Sequence, residues 1–268
     1  DFSITTPTWN HLWYIVYLLV YTLMLAPFAG RIARFMGGTG ARITKRLFGG
    51  KWGPAAALVL PVLPHILYRI TLDPYFKTTH DLTWDWANHA HSLTMLMIGF
   101  LLAKDVHFWS AIRRVLPFAV GLMVGLGAGL SVLWENWEML SEGGDWDWII
   151  WPARIARLAY AWITIAALLG LAERYLNRPS RALTYMTEAI FPWYILHQTL
   201  TVMLGYWLTR QELPVGIEAP LVIGGTFAGC ALLHELVIRR VGFLRPLFGL
   251  KPASASPVSR KASAAATV

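Results

Sequence analysis

Residues 115–135 read VLPFAVGLMVGLGAGLSVLWE, twenty-one positions whose single ionisable side chain, Glu135, stands at the far end, while Arg113 and Arg114 lie just before the start. At about 1.5 Å rise per residue such a run crosses a hydrocarbon core of about 30 Å. Six further runs of this kind occur, at residues 11–30, 53–72, 86–103, 152–172, 186–208 and 216–238. In lipid each backbone group must be satisfied within its own segment, and the runs lack the period-two alternation of a barrel strand. The fold class expected is all-α, a polytopic transmembrane bundle of seven spans.

Working outward from the spans, the charges take sides. Eighteen of the 23 Lys and Arg fall in four alternate connections: 31–52, 103–114, 173–183 and the stretch from 239 onward. The intervening connections carry Asp73, Asp81 and Asp85, then Glu138, Glu142, Asp145 and Asp147, with Trp84, Trp86, Trp137, Trp146, Trp148 and Trp151 as an interfacial belt. The positive-inside rule makes the basic connections cytoplasmic, so the N-terminus lies outside and the C-terminus inside. The formal charge of +8 is therefore explained by topology, and no nucleic-acid partner is expected. The partner implied throughout is the lipid bilayer. Residues 1–250 read as one integral membrane domain and 251–268 as a disordered cytoplasmic tail.

Glycines at 121, 125 and 129, and at 225 and 229, repeat every four residues and predict flat faces for close helix approach. Pro61 and Pro64 predict a kink in the second span. The single cysteine, Cys230, excludes an intrachain disulfide. GGTGARITKR from Gly37 lacks the spacing of a phosphate-binding loop. His89 and His91, two apart, face different sides of a helix, so no metal site is expected there.

Ionisable groups within or at the rim of spans are costly unless they face the bundle interior or water. His65 and Arg69 share a face at one end of span two, His89 and His91 open span three, Glu135 closes span four, and Arg154 and Arg157 open span five. By the charge rule all lie at the external rim. Glu135 and Glu138 are expected to face the two arginines across the hairpin, forming a polar vestibule. In span six, Thr187, Tyr194, His197, Gln198 and Thr201 form a polar stripe with His197 near mid-membrane.

Phe191-Pro192-Trp193-Tyr194-Ile195-Leu196-His197-Gln198 resembles a signature of the acyltransferase 3 family, as does His11-Leu12-Trp13 followed by an aliphatic span. Asp85-Trp86-Ala87-Asn88-His89 is similar to the glucan biosynthesis protein C-like branch. The resemblance runs to about residue 250. It implies a ten-helix domain in the bacterial inner membrane that moves an acyl group from cytoplasmic acyl-CoA, the donor substrate, to a sugar hydroxyl of a glucan or other extracytoplasmic polysaccharide. No permanently bound cofactor is implied. The family's arginine-to-histidine motif has no counterpart before His11, so the chain is expected to be a C-terminal seven-helix portion whose presumed base histidine lies on three preceding helices. Within this frame Arg154, Arg157 and Glu135 are the catalytic candidates, the arginines stabilising charge on the thioester oxygen. His89, His197, Tyr194 and Arg69 are candidates for substrate binding, and Arg42, Lys45 and Arg46 for the phosphates of coenzyme A. A transporter or flippase of a polar or anionic substrate is the alternative, since intramembrane polar groups and kinked helices also mark pathways. The absence of an inverted repeat or a mid-membrane acidic relay stands against it.

Overall fold

The computed structural model describes residues 12–138 and 147–251, and among them no strand occurs. His11, Glu142, Asp145, Trp146 and the segment 252–268 lie outside the described residues. The fold is an all-α polytopic helical bundle. Its helices are α1 Trp13–Leu25, α2 Ala29–Phe35, α3 Ala41–Phe48, α4 Gly53–Val59, α5 Leu63–Thr71, α6 Trp86–Leu102, α7 Val106–Glu135, α8 Asp147–Leu171, α9 Arg181–Thr209, α10 Val215–Leu233 and α11 Leu244–Leu247. Two compact units divide the chain, Asp1–Asn177 and Arg178–Val268.

Among the described residues five helical stretches are long and apolar enough to cross a membrane: Trp13–Phe48, Gly53–Thr71, Val106–Glu135, Trp148–Leu176 and Val215–Ile238. Two expected spans fall short for identifiable reasons. Helix α6 has only 17 residues, and the 29-residue α9 carries the polar stripe of Thr187, Tyr194, His197 and Gln198. Leu19, Leu23, Phe118, Val124 and Leu168 stand exposed on the flanks of the first unit, as helices facing lipid require.

The basic stretch 31–52 was expected as a loop and is mostly helix. The chain stays helical from Trp13 to Phe48, through a tight turn at Ala26–Phe28 where Pro27 sits and a wide turn at Met36–Gly40. Thr44 and Phe48, four apart, give α3 a buried face that anchors it. Helix α7 likewise begins nine residues before the apolar run. Asp105 caps it by accepting from the Phe108 backbone N–H at 2.7 Å, and the Thr44 hydroxyl donates to the same carboxylate. Arg114, although exposed, is not left without partners in the protein. It donates to the Phe48 and Gly50 carbonyls at 2.8 and 3.2 Å, closing the end of α3.

The second span breaks where its prolines dictate. Helix α4 gives way to a tight turn at Leu60–Val62 before α5 resumes. Pro61 has no N–H to offer the Ala57 carbonyl four residues earlier. The Trp162 indole of α8 supplies the missing donor at 3.0 Å, and this bond is buried. Around it Ala57, Leu58 and Val62 pack with Phe108, Ala111, Ile112, Val115 and Ala119 of α7 and Ile163, Ala166 and Ala167 of α8. Ala57, Ala111 and Ala167 are fully buried, so small side chains set the helix spacing at the core.

The glycine expectation holds in one place and fails in another. A Cβ at Gly225 or Gly229 would meet Leu204 at 2.9 Å or Leu200 at 3.1 Å, so α10 does approach α9 there. Gly121, Gly125 and Gly129 meet nothing within 4 Å. The close approach of α7 to α8 uses Gly127 instead, against the Tyr160 ring at 3.3 Å, and Gly170 against Leu116 and Ile112. A repeat of four identifies a face, while the neighbour's bulk decides which face is used.

Candidate functional site

In the first unit, α7 and α8 with Arg69 of α5 line an open cavity of about 660 Å³, within the usual size of small-molecule sites. Its polar lining comprises Arg69, Ser131, Glu135, Arg154, Arg157 and Tyr160, with Trp134 and Trp137 among its walls. The sequence-predicted Arg69, Glu135, Arg154 and Arg157 are thus brought together. The expected ion pairs between them are not formed: among the described residues no bridge joins Glu135 to either arginine of α8. Arg154 lies over the Trp151 ring three residues earlier, 5.2 Å from its centroid, so its own helix positions it. Arg154 and Arg157, which no carboxylate among the described residues engages, leave the cavity suited to an oxyanion or another anionic group.

Beside the cavity stands a chain of hydrogen bonds that links spans two and three. Arg69 donates to Asp73 Oδ2 at 2.8 Å, one helical turn on. Asp73 Oδ1 lies 3.2 Å from His91 Nε2, and His91 Nδ1 lies 2.8 Å from His65 Nδ1. Arg69 is among the residues expected to bind substrate, His65 and His91 are expected at the same rim without an assigned role, and Asp73 is expected only as an acidic residue of the following connection. The signal was present: His65 and Arg69 share a face, Asp73 follows Arg69 by four, and the HxH pair demands separate partners for its two rings. Indeed His89 points elsewhere. Its Nε2 donates to the Leu82 carbonyl at 2.9 Å, which leaves Nδ1 of a neutral ring to accept from the Tyr21 hydroxyl at 2.6 Å.

His89 belongs to a second network, built around Asp85. The Asp85 carboxylate accepts from the Tyr17 hydroxyl at 2.8 Å, from Asn88 Nδ2 at 2.7 Å, and from the backbone N–H groups of Thr79 and His80 at 3.1 Å each. His80 adopts a φ of 57°, and its ring stacks on Trp13 at 4.4 Å between centroids. Asp85 is fully buried. Burial pushes its carboxyl up, but the donors from Asn88, Tyr17, Thr79 and His80 outweigh burial and hold it below the ordinary carboxylate range. A carboxylate so thoroughly bonded is an organiser of the 72–85 connection, with little capacity left to bind anything else. Tyr17 and Tyr21, four apart on α1, are the other half of this device and were not singled out in the sequence.

Asp85→Ala leaves two buried backbone donors without an acceptor and is expected to destabilise the first unit by about 2–4 kcal/mol. Reversible unfolding in mixed micelles measures this. Because the folded carboxyl titrates below its unfolded value, its contribution is present at neutral pH and is lost only as pH falls through the folded value. Stability of the Asp85→Ala protein that equals the wild type at pH 7 would remove the organising role.

The remaining predicted residues lie apart from the cavity. Arg42 donates to Thr39 Oγ1 at 3.0 Å, and Lys45 and Arg46 are exposed on α3. A second cavity of about 540 Å³ near this end of the unit is lined by Met36, Gly37, Phe100, Lys104 and His107 and by none of those three. His197 and Tyr194 belong to the second unit, where His197 Nδ1 lies 2.8 Å from the Tyr194 carbonyl on the same helix. No group of three or more His, Cys, Asp or Glu with metal-binding geometry occurs among the described residues.

Comparison with known proteins supplies the frame for these groups. No curated protein and no solved structure matches the chain. The sequence profile of the acyltransferase 3 family, an acyltransferase domain, matches residues 1–235, which include the cavity, both polar networks and the His197 segment. A match of that extent, on a fold of apolar helices with polar groups gathered at one rim, means that the chain belongs to the acyltransferase 3 family.

Proposed function

We propose that the protein is a membrane O-acyltransferase of the glucan biosynthesis protein C-like branch, transferring an acyl group from acyl-CoA to a hydroxyl of a glucan or other extracytoplasmic polysaccharide. Membrane acyl transfer follows from the family. The observation that carries the finer reading is the cavity lined by Arg69, Arg154 and Arg157 at the acidic, tryptophan-rich rim. In the topology the charges support, seven spans with the N-terminus outside and the C-terminus cytoplasmic at the bacterial inner membrane, that rim is external. The acceptor is then met outside, and the donor arrives from the basic side, where Arg42, Lys45 and Arg46 attract its phosphates.

Acyl transfer to a hydroxyl passes through a tetrahedral species whose oxygen becomes negative. In this reading Arg154 and Arg157 stabilise that oxygen, Glu135 on the same cavity balances their charge, and Arg69 contributes to holding substrate. Membranes containing the native protein, given acyl-CoA labelled in its acyl group, are expected to yield polysaccharide carrying the label in an ester released by mild base. Label that stays on coenzyme A with every polysaccharide acceptor tested would overturn this reading.

A further inference from the structure

Asp73 divides its two carboxylate oxygens between two spans. Oδ2 accepts from Arg69 Nη1 at 2.8 Å, and Oδ1 faces His91 Nε2 at 3.2 Å. A carboxylate only accepts, so the hydrogen between Asp73 and His91 is carried by Nε2. The other nitrogen of a neutral His91 then accepts, and His65 Nδ1–H donates to it at 2.8 Å.

The far end of this chain is stiff. His65 is buried, its ring lies within 9° of parallel to that of His91, and Tyr68 packs edge-on against both while its hydroxyl bonds Thr94 at 3.1 Å. The near end is open. Arg69 lines the cavity, and among the described residues its only polar partner is Asp73, reached through Nη1. The hydrogens on Nε and Nη2 remain for a ligand.

Charge decides the kind of ligand. Arg69 is balanced by a carboxylate 2.8 Å away, so it offers the cavity directed hydrogen bonds with little net charge. Arg154 and Arg157 have no such partner among the described residues. A neutral, hydroxyl-bearing ring suits the first arrangement, and a developing oxyanion suits the second. A plain surface ion pair would need only Arg69 and Asp73, and both side chains would be free to swing. With a buried imidazole pair behind it, Asp73 is bonded on both oxygens and has one orientation left.

We propose that Asp73 and His91 are positioning residues that hold Arg69 as the acceptor-binding group of the cavity, the acceptor being a neutral, hydroxyl-rich saccharide. The proposal rests on the acyl-transfer reading above. Arg69 touches the saccharide, whereas Asp73 and His91 act through it and exchange no proton with substrate.

The test uses the native protein with Arg69→Ala, Asp73→Asn, His91→Phe, or Arg69→Ala and Asp73→Asn together, each checked for folding. Labelled acyl transfer is measured with KM determined separately for acyl-CoA and for glucan. Asp73→Asn keeps the side-chain shape and removes the charge that holds the guanidinium. It is expected to raise KM for glucan by roughly tenfold to a hundredfold, the range of one hydrogen bond to a charged group, with KM for acyl-CoA unchanged. His91→Phe keeps a ring in place and removes the bond to Oδ1, so it acts in the same direction by a smaller factor. In the Arg69→Ala protein, Asp73→Asn is expected to add nothing, because the group it positions is gone. A merely structural link between the two spans would give the same loss with and without Arg69, and would lower the amount of folded protein rather than change one KM. An unchanged KM for glucan in Asp73→Asn, equal rises for both substrates, or a full effect in the Arg69→Ala background overturns the positioning role while acyl transfer stands. Where Asp73→Asn does not fold, His91→Phe read in the same way decides. A wild-type protein that transfers no label overturns both this proposal and the reading beneath it.

Discussion

Arg157→Ala is expected to slow acyl transfer by roughly 10² to 10³, equivalent to about 2.7 to 4 kcal/mol of barrier, with folding retained. Arg157 lines the cavity, and no ion pair to it is formed among the described residues, so its charge is not already committed to a carboxylate. Arg154→Ala is expected to act in the same direction, since among the described residues only the Trp151 ring engages its guanidinium. Lysine should restore little at either position, because a point charge lacks the planar fork that meets two oxygens at once. Were the two arginines interfacial anchors alone, each would be worth about 0 to 1 kcal/mol of stability and nothing in rate. Rates of Ala and Lys variants, normalised to folded protein in the membrane, separate the two outcomes, and wild-type rates in both Ala variants would return the arginines to anchoring.

Trp162→Ala is expected to be the most destabilising single change in the first unit, at about 3 to 5 kcal/mol. Two losses coincide. The indole packs in the core with Ala57 and the α7 residues, and its N–H satisfies the Ala57 carbonyl that Pro61 leaves without its helical donor. Trp162→Phe keeps most of the packing and strands the carbonyl, so it should cost about 1 to 3 kcal/mol. Unfolding in mixed micelles reports both. A Phe variant as stable as wild type would mean that the kinked span finds another donor.

Much of this arrangement is legible in the residues, and the boundary of legibility has physical causes. Apolar runs longer than the bilayer core announce helices whatever their neighbours do, so the all-α class follows directly. The break at Pro61 is equally local, because a missing N–H and a ring clash need no tertiary context. What fills the break is not local: nothing near Ala57 in sequence points to Trp162, 105 positions away. The same limit explains the basic 31–52 stretch. Its charges fix a side of the membrane but are silent on conformation, and the helix there depends on Thr44 and Phe48 finding Asp105 and Phe108. At the site, helical spacing gathers Arg69, Glu135, Arg154 and Arg157 on one rim, and they do line one cavity. It overstates their pairing, since charge sign predicts proximity but not whether a side chain turns instead to the aromatic ring beside it, as Arg154 does. The Asp73–His91–His65 chain needed the register of α5 against α6, which sequence spacing along one helix cannot supply.

The central claim is that this protein carries acyl groups to hydroxyls at the rim lined by the three arginines. Sealed inverted inner-membrane vesicles test it most directly, with labelled acyl-CoA added to the outer medium, which is the cytoplasmic side, and glucan enclosed in the lumen. The account predicts base-labile label on the lumenal glucan with the wild-type protein, reduced at least a hundredfold by Arg157→Ala at equal folded protein. Label confined to coenzyme A, or equal labelling by the two proteins, would contradict it.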